Sequence, residues 1–256
     1  MKAQFNSEAY LHIKRPLFSE PDYLNLKNYL FSYIQTVPER LRPTFFTSNP
    51  FVKKPAYSDW VASPPILNLL TEVFGADLVY VNLSICYKPA NSIYRVARHI
   101  DSQYLLSTPG AVPQAFFNLF ISFSPCTKES GCLRVLPKVN EDKFYKHKPT
   151  NKEFNFFVNE IDDPSLDISK MVNVEMNENE VCILKNSVVH ESGPNTSSEP
   201  RLAVVLRYAS AQAKIALNEV NGPLKMHLVN GKNIANNCVE NLEGHEKVGG
   251  FSWSGN

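Results

Sequence analysis

Hydrophobic positions change period once along the chain, near residue 76. Before it the spacing is helical: Tyr23, Leu26, Leu30, Ile34 and Val37 recur three or four residues apart and form one apolar stripe. Ser19-Glu20-Pro21-Asp22 has the composition of a helix start, with a capping serine, an early proline and an acid three residues after the cap. Pro38 closes the run, so a helix is expected over 19–37 with one face on a core. Pro65 to Phe74 gives a second helix, stopped by Gly75. Residues 1–18 carry no strong signal, and 38–65, with prolines at 38, 43, 50, 55, 64 and 65, read as loop.

Beyond residue 76 the period is two. Val79, Val81, Leu83, Ile85 and Tyr87 fall on one face of a strand, and Tyr80, Asn82, Ser84, Cys86 and Lys88 on the other. That second face either meets water or lines the inside of a barrel. Ile93 to Asp101 is the next strand, with Arg95, Ala97, His99 and Asp101 on one side. Ser107 to Gly110 is a loop, and Ala115 to Ser124 a strand on which Asn118 and Ser122 share a face. Glu129 to Pro137 is a turn into a short strand. Val172–Val174, Val181–Leu184, Val188–Ser192 and Arg201–Tyr208 are further short strands. Residues 138–170, charged and aromatic without period, read as a surface insertion, where substrate-facing variation often sits. Leu228-Val229-Asn230-Gly231-Lys232 reads as a two-residue hairpin turn, and the Gly- and Asn-rich stretch after Asn236 as a mobile tail. No repeat or linker divides the chain. The expectation is one domain over 1–256: helices within 19–75, a sandwich or closed barrel over about 76–208, and an extension over 209–256.

Composition narrows the setting. Hydrophobic content of 43% and charged content of 20% are ordinary for a soluble globular protein. A net charge of +1 gives no field to attract nucleic acid, and no apolar run approaches a membrane span. The first residues lack the apolar stretch of a signal peptide. The five cysteines are odd in number, irregularly spaced and form no CxxC pair. They read as reduced thiols of a cytoplasmic protein, not as a disulfide frame or zinc site, which makes the sequons at Asn82 and Asn195 chance.

Candidate chemistry centres on His99-Ile100-Asp101. An imidazole and a carboxylate two residues apart on a strand share a face and supply two of the three ligands of a 2-His-1-carboxylate iron site. His190, on a late strand, is the candidate third ligand, with Ser192 on its face. Arg201, on the following strand, can take a carboxylate through two parallel charged hydrogen bonds. Taken singly, His190 reads as a satisfied core histidine, Asp101 as a turn cap, and Arg201 as a surface partner of Glu199 or Glu191. Taken together, they read as a metal centre beside an anion site.

Three stretches carry a family resemblance: His99-Ile100-Asp101; Glu129-Ser130-Gly131-Cys132-Leu133-Arg134-Val135-Leu136-Pro137; and His190-Glu191-Ser192-Gly193-Pro194-Asn195-Thr196-Ser197 with Pro200-Arg201. From about Pro65 to Tyr208 the chain resembles the phytanoyl-CoA dioxygenase family of iron(II)/2-oxoglutarate oxygenases. One departure is Pro137-Lys138-Val139-Asn140, where that family usually reads Pro-Gly-Ser-His. The resemblance implies a mainly β fold with flanking helices, a cupin-like double-stranded β-helix or jelly roll. It implies Fe(II), 2-oxoglutarate and O2 as cofactors. By the same likeness His99, Asp101 and His190 bind iron, Arg201 and Ser192 hold the far carboxylate of 2-oxoglutarate, and Asn118 falls where a polar cosubstrate ligand is common. The implied reaction is hydroxylation of an unactivated C–H bond. Desaturation, cyclisation or epimerisation by the same cofactors stays open, as does a jelly roll that binds metal or ligand without turnover. By strand parity Arg95 and Arg207 join Tyr80, Asn82 and Ser84 on the lumen. That lining suits a small polar or anionic metabolite, unless the arginines pair with carboxylates of the protein.

Overall fold

The computed structural model describes residues 1–39, 42, 46–48, 56–103, 112–138, 143–151, 153–215 and 226–241. The expected loop at Ser107–Gly110 and the end of the tail lie outside them. In chain order the elements are α1 (Lys2–Glu8), β1 (Tyr10–Ile13), α2 (Glu20–Gln35), β2 (Phe46–Ser48), α3 (Ala56–Val61), α4 (Pro64–Phe74), β3 (Leu78–Lys88), β4 (Val96–His99), β5 (Phe116–Ser122), β6 (Leu133–Val135), β7 (His147–Pro149), β8 (Asn159–Ile161), β9 (Val172–Val174), β10 (Val181–Lys185), β11 (His190–Ser192), β12 (Arg201–Ser210), β13 (His227–Asn230) and β14 (Glu240–Asn241).

Two sheets face each other. The major sheet runs β1-β10-β5-β12-β3-β13-β14, with β2 also on β3; the minor sheet runs β4-β11-β6-β9. Their strands are antiparallel except for β13 with β14. This is the expected mainly antiparallel jelly-roll architecture with helices on one side.

The helices form where caps and stripe coincide. The Ser19 side chain accepts from the Asp22 amide at the start of α2, and Tyr23, Leu26, Leu30 and Ile34 are buried. Gly75, at φ +91°, ends α4. The helices cover the outer face of the major sheet, where Leu26, Leu30, Ile34, Ile66, Leu70 and Val73 join Leu83, Ile85, Leu119, Val204 and Leu206 in one cluster. A second cluster fills the space between the sheets; Cys86, Phe120, Cys126, Cys132, Leu133, Val135, Cys182 and Ala203 belong to it. All five cysteines are free thiols.

Several expectations are corrected. The 1–18 stretch, which had no signal, holds α1 and β1, and β1 extends the sheet along β10. Beside that pairing His12 Nε2 lies 2.9 Å from Glu180 Oε2. Burial alone would raise the Glu180 carboxyl; hydrogen bonds from Asn177 and His12 outweigh it and hold the group below its usual range. The 38–65 loop contains β2 and α3. The strand expected over 93–101 is regular only over Val96–His99. Gly231 is not in a hairpin: β13 pairs with β3 and β14. At φ +71° a Cβ there would stand 2.5 Å from the Ala76 carbonyl oxygen, which is why glycine sits at that crossing.

The largest correction is in β3. Asn82 pairs with Arg207 but Tyr80 with Tyr208, so Val81 is an extra residue and alternation resets there. Tyr80, assigned by parity to the lumen, instead lies in the helix-side core with Leu83 and Tyr208. Val79 and Val81, expected to share a face with Leu83 and Ile85, instead join Ala115, Phe116 and Ala209 in a separate cluster.

Candidate metal centre and cosubstrate pocket

His99 and His190 are direct cross-strand partners in the β4–β11 pair, so antiparallel register alone brings their side chains together. Their ring centroids are 4.1 Å apart. Each ring is oriented by its own strand: His99 Nδ1 lies 2.8 Å from the Ala97 carbonyl oxygen and His190 Nδ1 2.9 Å from that of Val188. With a proton on Nδ1 donated to that carbonyl, each Nε2 keeps a free lone pair. Both Nε2 atoms point at Asp101, His99 to Oδ1 and His190 to Oδ2, each at 3.7 Å. The three donor atoms lie within 4.8 Å of one another, the spread a single ion can bridge.

Asp101 sits in the turn just after β4 and not on the strand. Its aim is set from the major sheet. Asn118 Nδ2 donates to Oδ2 at 2.6 Å, Arg207 Nη2 is 3.1 Å from Oδ1, and Arg207 Nε donates to Asn118 Oδ1 at 3.0 Å. Burial would raise the Asp101 carboxyl, but Arg207 first and then the two histidines hold it below its ordinary range. Burial, then the neighbouring His190, pushes His99 down to about 3, so it is a neutral imidazole at physiological pH. Two imidazoles, each with its Nε2 turned toward one carboxylate, make a donor set that fits Fe(II).

Arg201, expected on a lumen strand, is there and only 1% exposed. Its Nη1 donates to the Gly131 carbonyl at 3.3 Å, its guanidinium lies 5.9 Å from the Phe120 ring centre, and its buried Nε has no hydrogen-bond partner. It meets neither Glu199 nor Glu191. Glu191 lies on the other face of β11, paired with Arg98 and Arg134. A buried guanidinium with an unused donor and, among the described residues, no acid beside it suits an incoming carboxylate. Ser192, two residues beyond His190, is buried on the same face of β11.

Alternation puts Lys88 on the polar face of β3, the face that either meets water or lines a barrel. It is the register partner of Arg201 and is 4% exposed. Its Nζ donates to the carbonyl oxygens of Gly193 and, at 3.3 Å, Ser192. Gly131, at φ +72°, explains the Glu-Ser-Gly-Cys stretch: a Cβ there would be 2.4 Å from the Gly193 oxygen and 2.6 Å from the Pro194 oxygen. Only glycine lets the turn before β6 lie against the segment after β11.

Of the expected substrate residues, Asn82 and Ser84 lie on the lumen side of β3. Arg207 is committed to Asp101 and Asn118. Arg95 engages the insertion through Asn155 at 2.8 Å and Glu160 at 3.7 Å. The insertion reaches the metal centre. It pairs with the edge of β4 through Arg95 and Phe154 and sets Phe157 on His99, ring centroids 4.6 Å apart. Nothing in the local sequence marks Phe157, since the contact depends on how the insertion docks.

Comparison with known proteins agrees with this geometry. The sequence model of the phytanoyl-CoA dioxygenase family matches residues 41–203. A phytanoyl-CoA dioxygenase domain-containing protein 1 homolog of Dictyostelium discoideum is 31% identical over 113 residues; the match covers 43% of this chain and 39% of that protein. Among solved structures, the apo form of the non-heme monooxygenase ThoJ superposes with a TM-score of 0.72 at 17% identity, covering 94% of this chain and 86% of that one. EctD from S. alaskensis, solved with 2-oxoglutarate and 5-hydroxyectoine, gives 0.67 at 14% identity over 84% and 77%. The α-ketoglutarate-dependent epimerase SnoN gives 0.62 at 15% identity over 86% and 85%. The family match spans most of the sequence and contains the His99, Asp101 and His190 positions, and on that ground the chain belongs to the phytanoyl-CoA dioxygenase family, within the iron/2-oxoglutarate oxygenases.

Proposed function

We propose that the chain is an Fe(II)- and 2-oxoglutarate-dependent dioxygenase that hydroxylates an unactivated C–H bond of a small polar metabolite. The observation that carries this reading is the His99–Asp101–His190 cluster together with Arg201, which has no acidic partner among the described residues and keeps a buried donor unsatisfied. A structural metal site would have no use for that arginine. Iron and 2-oxoglutarate, when bound, supply the oxidising chemistry, the cosubstrate being converted to succinate and carbon dioxide as oxygen is activated.

The chain's residues supply the setting. His99 and His190 offer Nε2 with their tautomers fixed by backbone carbonyls. Asn118 and Arg207 orient Asp101, which gives Asn118 a role behind the metal ligand. Arg201 and Ser192 hold the far carboxylate. Phe157 walls the metal centre beside His99 and keeps water away from that side. Because Arg95 and Arg207 both meet carboxylates of the protein, they no longer argue for an anionic substrate. Asn82, Ser84 and Phe157 suit a neutral molecule with polar groups and an apolar face.

The test is succinate release from 2-oxoglutarate and Fe(II) across a panel of such metabolites. A product that gains one oxygen supports hydroxylation; loss of two hydrogens or an unchanged mass with inverted configuration would replace it with desaturation or epimerisation. Tight metal binding with no succinate from any substrate or from uncoupled turnover would overturn the enzymatic reading.

A further inference from the structure

Lys88 and Arg201 are two cations at one cross-strand position, both buried, at the same end of the lumen. Among the described residues neither has an acidic partner. The groups facing Lys88 are Arg201 from β12, Cys86 from its own strand, and Cys126 and Cys132 from the turn before β6. Burial pushes Cys86 up to about 12 and Cys132 up to about 11, so these thiols bring no negative charge. The Lys88 Nζ instead points at the carbonyls of Ser192 and Gly193. Two adjacent buried cations without a counter-charge are costly, because the interior neither solvates nor screens them. Such a pair makes sense if its counter-charge arrives with a ligand.

We propose that Lys88 is a cosubstrate-binding residue, its ammonium and the Arg201 guanidinium forming one seat for the far carboxylate of 2-oxoglutarate. The inference rests on the 2-oxoglutarate assignment made above. It adds a second cation to that site, and it gives a purpose to the Gly131 and Gly193 backbones, whose carbonyls fix one cation each. Burial, and then Arg201, hold the lysine well below its ordinary range while the seat is empty. Arrival of a carboxylate reverses the balance and favours the charged amine. Binding of 2-oxoglutarate is then accompanied by proton uptake, with the proton going to Nζ.

The experiment is calorimetric titration of 2-oxoglutarate into the Mn(II)-loaded full chain without oxygen, near neutral pH, in buffers of low and high ionisation enthalpy. Wild type takes up a measurable fraction of a proton. Lys88→Met binds about tenfold or more weakly and takes up none, since a charged hydrogen bond is lost. Lys88→Arg, which cannot be neutral, keeps most of the affinity and also takes up no proton. If Lys88→Met fails to fold, the Lys88→Arg result still decides. Proton uptake that persists in Lys88→Arg, or Lys88→Met binding with wild-type affinity and proton count, overturns the proposal and leaves the cosubstrate assignment standing. Failure of wild type to bind 2-oxoglutarate defeats that assignment itself.

Discussion

Replacing Gly131 with alanine tests how the two ends of the pocket are held together. Gly131 sits at φ +72°, a conformation that costs an L-residue roughly 1–2 kcal/mol. The new Cβ would also stand 2.4 Å and 2.6 Å from the carbonyl oxygens of Gly193 and Pro194. Those are backbone atoms, so they cannot rotate away, and the two segments must separate. Overpacking of this kind costs about 1–3 kcal/mol. Together the terms come to about 3 kcal/mol, and for a chain of this length that lowers Tm by roughly 6–12 °C. Gly193→Ala is the control: a Cβ there meets nothing within 4 Å, so stability should change by no more than about 0.5 kcal/mol. Thermal unfolding followed by circular dichroism measures both. Separation would also displace the Gly131 carbonyl that takes Arg201 and the Gly193 carbonyl that takes Lys88, so 2-oxoglutarate affinity should fall with Tm in the first variant. A Gly131→Ala protein melting within about 1 °C of wild type would refute the argument that the close approach requires glycine.

Three further outcomes are expected. His190→Ala should lose about a hundredfold or more in Co(II) affinity, read from visible absorption, with its far-ultraviolet spectrum unchanged; full occupancy would remove His190 from the ligand set. Asn118→Leu takes from Asp101 a 2.6 Å donor and from Arg207 an acceptor, and should weaken metal binding about ten- to hundredfold by the same titration, with unchanged affinity counting against the Asp101 relay. Glu180 has a folded-state pKa below its unfolded value of about 4.3, so its contribution to stability is present above that pH and is lost as pH falls through the folded value. Urea unfolding of Glu180→Gln should therefore show a shallower loss of stability between about pH 5 and pH 3 than wild type; parallel slopes would argue against a native-state role for the His12 contact.

How far the sequence could be read depended on whether a feature was local. The α2 start was legible because Ser19, Pro21 and Asp22 act on their own turn, and its stripe was legible because one helix face meets one core. His99, His190 and Ser192 were legible through period two on short strands. The β3 reset was not, because a bulge is defined by two partner residues on β12, and nothing in Tyr80-Val81-Asn82 announces it. The same limit hid α1 and β1, whose place depends on β10, and Phe157, which acquires its contact only when the insertion docks on β4. Lys88 was on the correct face from the start. Its importance appears only when Arg201 is found opposite and, among the described residues, no acid is found beside the pair.

The extra residue in β3 also bears on how a chain of this kind tolerates changes in length. Removing Val81 would leave Tyr80 followed directly by Asn82, and simple alternation would still send the tyrosine toward the helices and the asparagine toward the lumen. Removing any residue from Leu83 onward would instead exchange the faces of everything on one side of the gap, driving Ile85 into the pocket or Lys88 out of it. Val81 is thus the point on this strand where a one-residue deletion leaves both halves oriented, and natural or engineered length variation in β3 should be accepted there and rejected toward Lys88.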